Sequence, residues 1–166
     1  MIVVVNDANT LIDMLEIGIS DEFFRLPFEI HTTDFVSSEI KGDILNRFQN
    51  CVRKKLIDIY SLTSEELDKV VNLNNNYPPL SQSDCSCLWL CQHLSATLLT
   101  GDKQLKKIAS RKNIPIHGSI WIFKQLIFHG EISPRIAAIK LKELMKINDR
   151  LPENECRKKI KEWESL

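Results

Sequence analysis

The feature that most constrains this chain is a regular alternation of apolar, β-branched runs with helical periodicities, sustained through Ile116. Ile2–Val5 is a β-branched run short enough for a buried strand. Asn6–Thr10 breaks it, and Leu11, Ile12, Leu15 and Ile17 then recur at helical spacing as far as Gly18. Asp21–Arg25 makes a short helical turn before Pro27, and Phe28–Thr32 is a second strand. Val36, Ile40, Ile44, Leu45, Phe48 and Val52 mark one face of a long helix from Asp34 to Lys55. Leu56–Leu62 alternates as a third strand, and Thr63-Ser64-Glu65-Glu66 opens the next helix with a capping box. Asn74–Pro79 is a loop, followed by a helix from Ser81 to Leu94, a fourth strand at Ala96–Leu99 and a helix over Lys103–Lys112. Ile114–Ile116 is a fifth strand. Strand and helix in turn, joined by right-handed crossovers, define a three-layer α/β/α fold around a parallel sheet of about five strands.

Beyond the alternation the chain is helical. Gly118 precedes a helix reaching Ile127, Ser133-Pro134 launches one through Ile147, and Leu151-Pro152 separates the last, Glu153–Trp163. We expect one domain over residues 1–166, with an α/β body at 1–130 and a helical extension at 131–166 packed on it. Apolar residues at 43% and charged residues at 27% are the mix of a soluble globular protein. The longest apolar runs, Met1–Val5 and Ile120–Phe123, fall far short of the roughly 20 residues that span a bilayer. With no membrane segment and no export signal, the five cysteines are expected to be reduced and the protein cytoplasmic.

In an open parallel sheet, ligands bind beyond the carboxyl ends of the strands. Asp7 follows the first strand directly, Asp102 follows the fourth, and Glu39 lies early in the helix after the second. Asp84 lies in the first turn of the helix that precedes the fourth strand, and joins the others only if that helix starts at the same edge. Each acid also has a structural use. Asp7 and Asp102 suit N-caps, Asp84 stands three after Ser81 as in a capping box, and Glu39 suits a helix surface. Capping does not require the apolar company of Asp7 and Asp102, where an uncompensated carboxylate is costly. Acids gathered at one point raise each other's pKa, and a hard divalent cation removes the penalty. Mg²⁺ or Mn²⁺ so held activates water and neutralises a phosphodiester during in-line displacement.

The stretches Val4–Ile12, Thr33–Ile40, Leu80–Asp84 and Leu98–Leu105 together resemble the PIN-domain nucleases, in that family's order across most of the first 120 residues. The resemblance implies a Rossmann-like fold and Mg²⁺- or Mn²⁺-dependent cleavage of single-stranded RNA. Asp7, Glu39, Asp84 and Asp102 fall on the family's acidic positions, and Asn9 and Thr100 on its supporting polar ones. Gly118-Ser119-Ile120 and the helices beyond Pro134 look most like VapC-type toxins with an extended C-terminus. That likeness implies the toxin of a toxin–antitoxin pair, an antitoxin partner and homodimerisation. Ser83-Asp84 stands where the subgroup often has Gly-Glu, a departure that leaves the carboxylate in place. The alternative to an endoribonuclease is a catalytically silent module of the same fold. An Asp-x-Asp phosphatase is excluded by Asn9, and a P-loop by the lack of a glycine-rich run.

Three further features need a reading. Cys85, Cys87 and Cys91 lie on one helix, and without a fourth ligand they pack rather than close a zinc site. His31, His93, His117 and His129 have no ligand spacing, and Trp89, Trp121 and Trp163 are expected to be packing residues. The 22 basic and 22 acidic residues cancel, which argues against an overall electrostatic grip on nucleic acid. Yet Lys103, Lys106, Lys107, Arg111 and Lys112 crowd the helix after Asp102, and Lys103 is the candidate contact to an RNA backbone.

Overall fold

A computed structural model describes residues 1–166. Five strands form one parallel sheet in the order β3-β2-β1-β4-β5. They are β1 (Ile2–Asn6), β2 (Phe28–Thr33), β3 (Asp58–Tyr60), β4 (Thr97–Leu99) and β5 (Ile116–His117). The register sets Val5 beside His31 on one side and Leu98 on the other, with Asp58 and Ile116 outermost. β1 is therefore central. Val4 and Val5, with Leu98 and Leu99 of β4, are wholly buried, as a sheet covered on both faces requires.

Helices α1 (Ala8–Glu16) and α2 (Ser20–Phe24) lead from β1 to β2. The next crossover carries α3 (Asp34–Glu39), a 3₁₀ turn at Gly42–Ile44, and α4 (Leu45–Arg53). The single long helix expected over this span is corrected here. Ile40 leaves helical geometry with ψ 115°, and Gly42 takes φ +71°, a conformation open to glycine. Glu39 accordingly ends a short helix instead of lying early in a long one. Between β3 and β4 come α5 (Ser64–Asn76) and α6 (Gln82–Leu94), the former running into the stretch expected as loop. α7 (Lys103–Arg111) joins β4 to β5, and α8 (Ser119–Phe128), α9 (Pro134–Ile147) and α10 (Glu153–Glu164) complete the chain.

Two features of this arrangement position the site. After β3 the chain returns to the far side of β1, so the direction of winding reverses between β1 and β4. Such a reversal opens a crevice at the carboxyl ends of those two strands. Meanwhile α6 packs on β1, β2 and β4 with Cys85, Cys87, Leu88, Leu90 and Cys91 buried. Running back across a parallel sheet, its N-terminus returns to the same carboxyl edge. All five cysteines are buried and free, as packing residues should be. One apolar cluster continues from the sheet into Ala137, Leu141, Leu144, Cys156, Ile160 and Trp163 of α9 and α10. No helix is long and apolar enough to cross a membrane.

Candidate active site

Asp7 is the centre of the crevice. It directly follows β1 and caps α1, accepting the Thr10 backbone N–H on Oδ1 at 2.8 Å. The Thr100 hydroxyl donates to its other oxygen, and accepts the Asp102 backbone N–H at 3.0 Å. Thr100 thus ties the ends of β1 and β4 together through its bonds to Asp7 and to the Asp102 backbone. Asp7 is only 2% exposed, and its carboxyl is raised from the usual carboxylate value to about 6. Burial is the main cause. The bonds from Thr100 and Thr10 pull the value back, and the charge of Asp84 pushes it up.

Asp102 caps α7, its Oδ1 accepting the Leu105 N–H at 2.8 Å. Asp84 is the third residue of α6 and completes a capping box with Ser81, accepting the Ser81 N–H at 2.9 Å. Its charge is the smallest of the causes that act on Asp7. Three of the four acids therefore do cap helices. Glu39, by contrast, is exposed at the end of α3 with no ion pair or hydrogen bond of its side chain. No three His, Cys, Asp or Glu side chains stand close enough to hold a metal ion between them. Asn9 is exposed and makes no bond to the acids, and Lys103 is exposed at the first position of α7.

Several residues at this edge were not legible in the sequence. Asn6 is fully buried beside Asp7 with both side-chain polar atoms unpartnered, and the buried Thr10 hydroxyl also lacks a partner. Asp13, three residues beyond Thr10 on α1, is raised to about 6, chiefly by burial. It accepts the Asn148 side-chain amide at 2.7 Å, across 135 residues of sequence. Two residues on, Arg150 brings a guanidinium nitrogen 4.0 Å from Asp102 Oδ2. The connection between α9 and α10 therefore reaches the rim of the crevice. The i, i+3 run Asp7-Thr10-Asp13 was the one available signal, since those spacings share a helix face.

The family model described as a PIN domain (DUF3368) matches residues 3–165, and the chain belongs to that family, whose members are generally nucleases. A solved PilT N-terminus domain protein from the hyperthermophilic archaeon Sulfolobus solfataricus P2 is similar at 12% identity. That likeness covers 75% of this chain and 91% of the other, with a TM-score of 0.46. No curated protein matches the chain.

Proposed function

We propose that the chain is a divalent-metal-dependent endoribonuclease that hydrolyses RNA phosphodiesters at the β1–β4 crevice, acting as the toxin of a toxin–antitoxin pair. The observation that carries the reading is Asp7, a buried carboxyl held at a ligand-binding edge against its own tendency to stay neutral. The donor set fits a hard cation, because the acids offer oxygen alone and Mg²⁺ needs only one or two carboxylates, with water and substrate phosphate completing its shell. Asp7, Asp84 and Asp102 would hold it, with Glu39 serving a second ion or orienting the attacking water. When bound, such an ion supplies a water of lowered pKa and offsets the charge gathering on the phosphate. The protein's part is orientation. Thr100 fixes the free edge of Asp7 and the backbone of Asp102 together, so neither carboxylate can swing away singly. Lys103, at the start of α7, would meet the RNA backbone.

An antitoxin partner and a homodimer belong to the same reading. Ile136, Ile139 and Ile147 of α9 are exposed, which suits burial against another chain. One observation favours a silent binding module instead: three of the acids already serve as caps and no three converge. Cleavage of a mixed RNA pool with Mg²⁺ or Mn²⁺, with EDTA and Asp102→Asn as controls, decides between the two. Metal-dependent cleavage lost in Asp102→Asn is the expected result. Equal cleavage by the variant would remove the site, and no cleavage at all would leave the module. A short DNA-binding protein encoded immediately upstream is expected of a toxin.

A further inference from the structure

A cavity of about 290 Å³ opens beside the crevice, between α1, the start of α8 and the α9–α10 connection. Three cations line it from three elements: Lys106 of α7, Lys124 of α8 and Arg150. Lys106 is aimed inward. Its ammonium lies 3.4 Å from where a Gly118 Cβ would stand, and the Thr100 carbonyl lies 3.5 Å from the same point. Glycine at 118 therefore leaves room between that lysine and the strand end that carries Asp7's partner. The helix behind, α8, starts at Gly118 with no side chain capping its first N–H groups. Thr10 is part of the same wall. A flat surface faces these donors. Trp121 stacks between Phe28, at 5.5 Å, and His117, at 4.2 Å with planes within 4°, so His117 is the end of the stack. The partly buried Trp121 is a packing residue, as expected, and also lines the cavity. Two acids also line the space, Asp13, which is bonded to Asn148, and Glu155, so cations exceed acids by one.

We infer that this cavity is a single-nucleotide subsite for RNA, binding the nucleotide next to the one cut. Its phosphate lies between the α8 N-terminus, Lys106 and Arg150, and its base lies on the His117 end of the Phe28–Trp121–His117 stack. Uncapped N–H groups with guanidinium and ammonium donors are the chemistry of a phosphate site. An aromatic face takes any base without reading its sequence. The volume sits at the small end of ligand cavities, about 300 Å³, suited to one nucleotide. The subsite also explains what the C-terminal extension contributes: Asn148 latches to Asp13 and so sets Arg150 at the rim.

The inference rests on the ribonuclease reading, and its test avoids turnover. ¹⁵N-labelled protein in EDTA is titrated with a nucleoside 5′-monophosphate and, separately, with inorganic phosphate. The nucleotide should shift the Trp121 indole N–H and the Ser119 and Ile120 amides, saturating with a Kd of about 1 mM. Phosphate should move the two amides and spare the indole. Arg150→Ala and Lys106→Ala, each removing one phosphate donor, should each weaken the nucleotide roughly fivefold to tenfold. No saturable shift, shifts elsewhere, or affinities unchanged in both variants would overturn the subsite. Phosphate reproducing every shift would reduce it to an anion site and overturn the nucleotide assignment. Nucleotide binding without RNA cleavage would sink only the ribonuclease reading, and metal-dependent cleavage without nucleotide binding only the subsite.

Discussion

If Asp7 is kept for chemistry, its removal should make the metal-free protein more stable. Its carboxyl ionises near 3.8 in an unfolded chain and near 6 in the fold. Between those values the folded state holds a proton that the unfolded state has released. The group's favourable contribution is complete below the unfolded value, declines as pH rises through the folded value, and stays lost above it. A displacement of about two pH units corresponds to about 3 kcal/mol against the fold at pH 8. Asp7→Asn removes that cost and retains one acceptor, leaving either the Thr10 N–H or the Thr100 hydroxyl unmatched at about 1–2 kcal/mol. The variant should therefore be more stable by about 1–2 kcal/mol at pH 8, a rise in Tm of roughly 2–8 °C for a chain of this size. At pH 4 the gain should vanish or reverse. The assay is thermal unfolding of both proteins in EDTA from pH 4 to pH 8. Asp13 is present in both and largely subtracts out. A variant less stable at pH 8, or a difference that does not change with pH, would refute the argument. Adding Mn²⁺ should raise the wild-type Tm and leave Asp7→Asn unmoved, since binding stabilises only a fold that binds.

Other perturbations follow from the same contacts. Thr100→Val deletes the hydroxyl that Asp7 and the Asp102 N–H share, and should cost about 1–3 kcal/mol in denaturant titration. Asn148→Ala releases the latch to Asp13; about 1–2 kcal/mol should go, and proteolysis between α9 and α10 should quicken. No thiol should react with a disulfide reagent in the native protein. All five are buried, and burial pushes Cys85 and Cys156 to about 11 and Cys87 and Cys91 higher still; fast labelling of any one would contradict this.

Most of the architecture was legible because it rests on short-range pattern. The β-branched run before Asp7, the capping boxes at Thr63 and Ser81, and proline after Ser133 each act within a few residues, and each appears where the pattern puts it. The helix expected over 34–55 failed because apolar spacing continued through Gly42, and the stop was one glycine with positive φ, not a change in hydrophobicity. The site was legible in part for a similar reason. Asp7 and Asp102 adjoin strand ends, so their placement followed from the strands. Asp84 depended on the direction of α6, which topology supplies. Asp13, Asn148 and Arg150 meet through a fold-back across more than a hundred residues, and no local pattern announces such a contact.

Capping and chemistry are not rival uses of these carboxylates, and two of them show how the uses separate. Glu66 caps α5 at the surface, and its hydrogen bonds to Thr63 and Tyr60 hold it below the usual carboxylate range. Asp7 caps α1 and accepts bonds of the same kind, yet it lies well above that range. A helix N-terminus and two donors should lower a carboxyl's pKa. At Asp7 desolvation outweighs them both, with a second acid adding to it. A cap needs none of that burial, since a solvent-facing Asp or Ser would serve α1 equally well and at no cost in desolvation. Nor does packing explain it, because the Asn6 amide and the Thr10 hydroxyl beside it are also buried and lack partners. What distinguishes the β1–β4 edge is a desolvated carboxyl at a ligand-binding crevice, and the cation proposed above would offset its charge.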